Sequence, residues 1–442
     1  MPNRHLPVRP DLDQLKNQAK DLLRALRRGD PDAVAELRTH HSRSVGFLLP
    51  AQATEPAHPA QPAQGDHPDN PHRAASIKLA DAQLVLARGY GLPSWPRLVL
   101  ACRMTDAIWR DDVEAVLDLV TAHPALLTEM ALGRPSSNWG PPLTYAANLG
   151  RDRIIAALRK AGAADLDSAL DRAVLQGRID TARHLLALGA RPRPGIAMGP
   201  AETLSAEGMR FLAHLGLDLT DEHGDPLAPV ACVLRTYVRK PAGKHALLEL
   251  FAERGIPLPD TPAMAVHRGR LDLVEAHLRR DPNLLTRTFS QQEIWPSDLG
   301  CRPDAPALHG TPLDGATLLH LCVDYDELDI ARHLLAEGMN PDAPAALDPA
   351  GFGGHTALFA CVVSYPCSLG IRTDDAFARL LLGHGANPNA RASLRKSLLY
   401  IGDEALHEYR NVTPLAWGER FHEPQFVSRP AMRAIAERGG HL

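Results

Sequence analysis

The stretch that decides the fold is Gly315 to Pro341, GATLLHLCVDYDELDIARHLLAEGMNP. It reads as two short helices followed by a closing turn. Thr317, Leu318, Leu319 and His320 open the first helix. Ile330, Ala331, Leu334 and Leu335 fall at the i, i+1, i+4, i+5 spacing of one apolar helical face. Gly338 stands where a helix must end in a left-handed residue, a conformation glycine adopts without steric cost. One such helix pair cannot bury its own apolar face, so further copies are expected along the chain.

Copies are present. Pro142, Leu143, Tyr145, Ala146 and Ala147 open a unit that continues from Arg153 to Lys160 and closes at Gly162. The pair Ser168 to Leu175 and Thr181 to Leu188 closes at Gly189, and Glu202 to Gly216 is a degenerate copy. Pro226 to Leu234 and Lys244 to Arg254 close at Gly255. The run TPAMAVHRGRLDLVEAHL from Thr261 is a clear unit, as is the one that starts Thr356-Ala357-Leu358 and closes at Gly385. Thr413-Pro414-Leu415 opens the last, ended by Ala431 to Gly439. These units resemble the ankyrin repeat, with its T-P-L-H-x-A opening, second helix and G-A-D-x-N turn.

The closing glycines are unevenly spaced. Gly162, Gly189 and Gly216 stand 27 residues apart (189 minus 162, 216 minus 189). An ankyrin repeat runs to about 33 residues, so these units lack most of its β-hairpin finger. Gly338 to Gly385 is 47 residues (385 minus 338), and Gly385 to Gly439 is 54 (439 minus 385). Extra residues in a solenoid go into loops, usually on the binding face. The later units therefore hold the elaborated surface.

Three inserts supply that length: 286–314, 342–355 and 391–411. Inserts from successive units are expected side by side along one edge of the stack. Their aromatic, basic and acidic residues suit a protein or peptide ligand, because Trp, Tyr and Arg most often anchor interfaces. The candidate binding residues are Trp295, His309, Asp314, His355, Tyr400, Glu404, His407, Glu408, Tyr409, Arg410 and Trp417. Trp295 and Trp417 have a second reading, as packing between the inserts and the helices beneath them. The histidines and carboxylates could also converge as an acid–base cleft or a metal site. No H-E-x-x-H, G-x-S-x-G or dinucleotide-loop motif supports such chemistry, so neither catalytic residues, metal nor cofactor are assigned.

Composition narrows the classes. The chain has 442 residues and a formal charge of −4, so no overall basic field recruits nucleic acid or an anionic membrane. Six cysteines are scattered without a C-x-x-C pair, which points to a reducing compartment, the cytoplasm. Met1 to Pro10 has no apolar core of a secretory signal, and no apolar run is long enough to span a bilayer. Abundant alanine, leucine, arginine and proline with scarce lysine fits a GC-rich bacterial genome.

Four segments are expected: a helical N-terminal region at 1–50, a linker at 51–73, a joining helical pair at 74–104, and the repeat array at 105–442. Asp11 to Arg28 has an apolar face of Leu15, Ala19, Leu22, Leu23 and Leu26. Asp30 then caps a helix with Pro31 at its first position. The linker, TEPAHPAQPAQGDHPDNPH, is too poor in apolar residues to fix a fold. The whole chain, including LPVRPDLDQLKNQAKDLL and LADAQLVLARGYGLPSWPRL, is similar to bacterial ankyrin-repeat proteins with a helical N-terminal region. That resemblance implies an all-α solenoid with a helical N-terminal cap. The expected function is a non-catalytic protein-binding scaffold that uses the concave face and inserted loops of the C-terminal repeats, the alternative being an enzyme or a small-molecule or metal binder that uses the His, Asp and Glu residues of those loops. The resemblance also implies that His320 bonds backbone between neighbouring units.

Overall fold

The computed structural model describes residues 4, 6–41, 77–134, 137–302, 311–368, 370, 372–398 and 404–442. The expected linker at 51–73 lies outside the described residues. The fold is an all-α ankyrin-type solenoid with a helical N-terminal cap, and the chain divides into two compact units. One comprises residues 1–173 and 180–191, the other residues 174–179 and 192–442.

The first unit begins with the cap. Helix Leu12–Arg27 starts at Asp11, whose carboxylate accepts from the amides of Asp13 and Gln14, satisfying two donors no helix can pair internally. Leu15, Ala19, Leu22 and Leu26 are buried and the lysines face out. Helix Pro31–His40 is capped the same way by Asp30. Both pack on helix Leu79–Gly89. Two helix pairs follow, Trp95–Trp109 with Val113–Ala122 and Pro142–Leu149 with Asp152–Lys160.

The second unit stacks helix pairs whose two members differ in burial. Every residue of Leu318–Tyr325 and of Ala357–Val362 is buried, because these inner helices touch neighbours on both sides. The outer helix Leu328–Ala336 buries only Ile330, Ala331, Leu334 and Leu335, the stripe read from the sequence. Thr261 and Thr413 cap their helices by accepting from the amides of Met264 and Ala416. His320 does what the repeat resemblance implies: its Nε2 donates to the His355 carbonyl of the next unit at 2.9 Å.

The insert at 391–411 departs from the loop expected of it. Strands β1 (Ala392–Lys396) and β2 (His407–Val412) pair antiparallel, with Leu394 opposite Tyr409 and Lys396 opposite His407. Along β1 the side chains alternate inward and outward, Ala392, Leu394 and Lys396 buried and Arg395 exposed, which is the period of a strand with one covered face. The charges of Arg395 and Lys396 conceal that alternation in the sequence.

Candidate ligand groove on the C-terminal rim

The three inserts are tied to one another through their main chains. The Phe289 amide donates to the Ala316 carbonyl at 2.8 Å, and the Ala346 amide to that of Gly315 at 2.9 Å. The Gly353 amide donates to the Ser393 carbonyl at 2.7 Å, which joins the second insert to β1. The first and third of these bonds are strand-like bridges, and with the second they make a broken ladder along the rim. Gly353 has φ +118°, and a Cβ there would sit 2.1 Å from the Ala346 carbonyl oxygen. Only glycine permits both that backbone and that approach.

Side chains then fix each loop. Ser290 and Glu293 form a reciprocal cap: the Ser290 amide donates to Glu293 Oε2 at 2.8 Å, and the Glu293 amide to Ser290 Oγ at 3.3 Å. Burial works to raise the Glu293 carboxyl, but the Ser290 hydrogen bonds and the Arg287 guanidinium outweigh it and hold it below its ordinary range. Asp348 accepts from the amides of Phe352 and Ala350 and pairs with Arg395 at 2.6 Å, so its carboxyl is also depressed. Two guanidiniums, of Arg395 and Arg410, lie over the Phe352 ring at 5.0 and 4.4 Å.

Beneath the first insert stands a buried polar pillar. Trp295 Nε1 donates to the Tyr325 hydroxyl at 2.8 Å, which itself donates to the Leu234 carbonyl at 2.9 Å. His267 bonds the Ile294 carbonyl through Nε2 and Lys244 Nζ through Nδ1, at 2.9 and 2.6 Å. Lys244 Nζ also lies 3.4 Å from the Tyr325 ring centre. Burial, with the nearby Arg239 guanidinium, lowers the Lys244 pKa well below that of a free lysine. These residues seat the insert on the helices below. Lys244 looks in the sequence like any solvated lysine of an amphipathic helix, so nothing local marked it.

Where the inserts meet they line a groove of about 900 Å³. It is lined by Ser290, Glu293 and Asp314 from the first insert, Leu347, Phe352 and His355 from the second, and Leu394 to Ser397 from the third. The volume lies within the usual range for ligand sites of roughly 300–1,000 Å³. His355 is buried, donates through Nε2 to the Pro312 carbonyl at 3.0 Å, and is pushed down to about 3 by burial and then by His320. It is therefore a neutral imidazole at physiological pH. Burial lowers Lys396 to about 8.

Among the candidate binding residues, Asp314 and His355 border the groove. Asp314 is exposed and accepts from the Gln291 amide at 2.7 Å. Arg410 stands at its edge over Phe352 and pairs with exposed Glu408 at 3.0 Å. Trp295, Tyr409 and Trp417 lie inside the fold, 5%, 7% and 0% exposed, with no surface for a partner. Tyr409 packs edge-on against Trp417, and its hydroxyl bonds His422 Nδ1 at 2.6 Å. His407 stacks on His422 at 4.0 Å, and Glu404 is exposed. His309 and Tyr400 lie outside the described residues. Of His355, His407 and Glu404, only His355 lines the groove, so these three do not gather as an acid–base set. No cluster of three or more His, Cys, Asp or Glu with metal-binding geometry occurs among the described residues. The groove's Phe352, Leu394 and Arg395 were missed as site residues, because the charges of Arg395 and Lys396 hide the alternation of β1 and nothing local marks Phe352.

An ankyrin repeat family model matches residues 314–346. No curated protein matches the chain. Among solved structures, the human ASB11 ankyrin repeat domain is 17% identical, covering 68% of this chain and 99% of its own, with a TM-score of 0.23. The ankyrin repeat domain of Bcl-3, a member of the IκB protein family, is 16% identical, covering 76% of this chain and 97% of its own, with a TM-score of 0.19. Likeness at that level says nothing more of this chain. No described helix is long and apolar enough to cross a membrane.

Proposed function

We propose that the chain is a non-catalytic binding scaffold that holds a protein or peptide partner on the rim of its C-terminal repeats. One observation supports this reading above others: inserts from separate repeats are joined by main-chain bonds and converge on a single groove. A long loop costs conformational entropy to order, and a core needs none of these excursions, so ordered convergence is the mark of a recognition surface. The groove mixes apolar side chains (Leu347, Phe352, Leu394) with both signs of charge (Asp314, Arg395), the make-up of an interface rather than of a catalytic cleft. All six cysteines are free thiols, which fits action in the reducing cytoplasm.

Charge reversal tests the reading without removing a folded element. Asp314→Lys combined with Arg410→Glu changes two exposed side chains at the groove. A partner captured by cross-linking to the unaltered chain is expected to be lost by the double variant while its melting temperature stays put. Undiminished capture would take the rim out of the binding surface.

A further inference from the structure

The groove presents more than side chains along one wall. β1 uses only one of its two edges for β2. On the other edge, Ser393 accepts from the Gly353 amide, which shows that the main-chain groups of Ser393 point away from β2. Residues two apart in a strand direct their N–H and C=O to the same side, so Arg395 turns its own pair to that same edge. Among the described residues neither group of Arg395 meets a partner beyond the hairpin. On the N-terminal side of Gly353 the second insert turns off the edge, where the Gly351 amide bonds the Asp348 carbonyl. Lys396 and Ser397 continue the wall of the groove past that point. An edge with unmade main-chain bonds, opening into a groove, is a template for another strand.

We infer that an extended segment of a partner protein, with a lysine or arginine near its middle, adds to the free edge of β1 as a further strand. This rests on the scaffold reading above and deepens it by stating the form of the partner. The rim already uses bonds of this kind, closing the first insert at Phe289–Ala316 and joining the second to β1 at Gly353–Ser393. Main-chain bonds of this type give affinity, and pockets for alternate side chains give selectivity. Charge picks the basic residue. Of the charged groups lining the groove, Glu293 is paired with Arg287 and Arg395 with Asp348. Asp314, exposed at the groove, accepts one amide and, among the described residues, no cationic side chain. It is the carboxylate of the groove that a basic side chain would complete.

The probe is a display library of random linear peptides, selected on the full chain and measured by titration. Selected peptides are expected to carry a basic residue, and Asp314→Asn should erase that preference. Arg395→Pro removes the edge N–H, whereas Arg395→Ala removes only the side chain, so the proline variant should bind about tenfold more weakly than the alanine variant. The edge position tolerates proline because that N–H takes no part in pairing with β2. Should the proline variant misfold, the unaltered chain still decides: N-methylating alternate amides of the selected peptide should weaken binding, and N-methylating the amides between should not.

Equal binding by the proline and alanine variants, or indifference to N-methylation at every position, overturns strand addition. Peptides that bind the groove in that manner leave the scaffold reading standing. If no peptide is selected, or a second copy of this chain occupies the groove instead, the inference fails, and the scaffold reading is judged separately by its charge-reversal capture.

Discussion

The link after helix Asp152–Lys160 and the rim around Gly353 do the same topological job and are held in opposite ways. Each follows an outer helix and leads to the next inner one. The short link ends at Asp165, whose carboxylate accepts the Thr144 amide at 3.1 Å and the Thr144 hydroxyl at 2.5 Å. Two side chains fasten it, Asp165 and Arg159, which donates to the Ala163 carbonyl at 3.2 Å. The long inserts have too many backbone groups for that, and each buried N–H or C=O needs a partner. They satisfy one another through main-chain bridges and rest on anchors of their own, Trp295 over Tyr325 and Tyr409 over Trp417. Lengthening a repeat link thus turns it from a capped turn into a small structure with its own core.

That contrast can be broken most forcefully at Trp417, which is fully buried beneath Tyr409 and packs on Phe421. Trp417→Ala should cost about 3–5 kcal/mol in denaturant unfolding and release the β1–β2 hairpin to proteolysis first. A uniform loss with the hairpin still protected would mean the rim does not depend on that anchor.

Acid should act next. Burial holds His320 at about 4 and His355 at about 3, both below the ordinary 6.5 of histidine. The unfolded chain therefore binds more protons below 6.5, and stability falls as pH drops from 6.5 towards about 4 and then 3. Above 6.5 the contribution is complete. Two such groups are worth a few kcal/mol, read as the midpoint of denaturant unfolding on either side of that value. Replacing both with glutamine should flatten the slope, and an unchanged slope would assign it to other groups.

Gly353→Val should cost about 1–3 kcal/mol from the forced backbone alone, and more from the contact with the Ala346 carbonyl. Its effect should appear as faster amide exchange at Ala346 and Ser393. The short link gives the smaller counterpart. Asp165→Ala should cost about 1–3 kcal/mol and leave amide exchange on the rim untouched.

The sequence showed the helix pairs because their signals are local: threonine caps, an apolar stripe such as Ile330 to Leu335, and a glycine at the turn. It showed that the inserts were special from their length and from their aromatic and charged residues. It did not separate anchor from ligand contact, since a tryptophan reads the same at Trp295 in the interior as it would on a surface. The bonds that build the groove are between main-chain atoms far apart in the chain, as from Gly353 to Ser393, and no side-chain pattern encodes them. Lys244 and Lys396 were hidden for the converse reason, as charged residues that the fold buries.

Amide hydrogen exchange at Phe289, Ala346 and Gly353 tests the central point most directly, because the first N–H closes the first insert on itself and the other two join the second insert to its neighbours. A rim built as one structure predicts that all three exchange slowly and with a common opening free energy, and that Trp417→Ala speeds them together. Exchange at the rate of an unstructured peptide, or three unrelated rates, would contradict it.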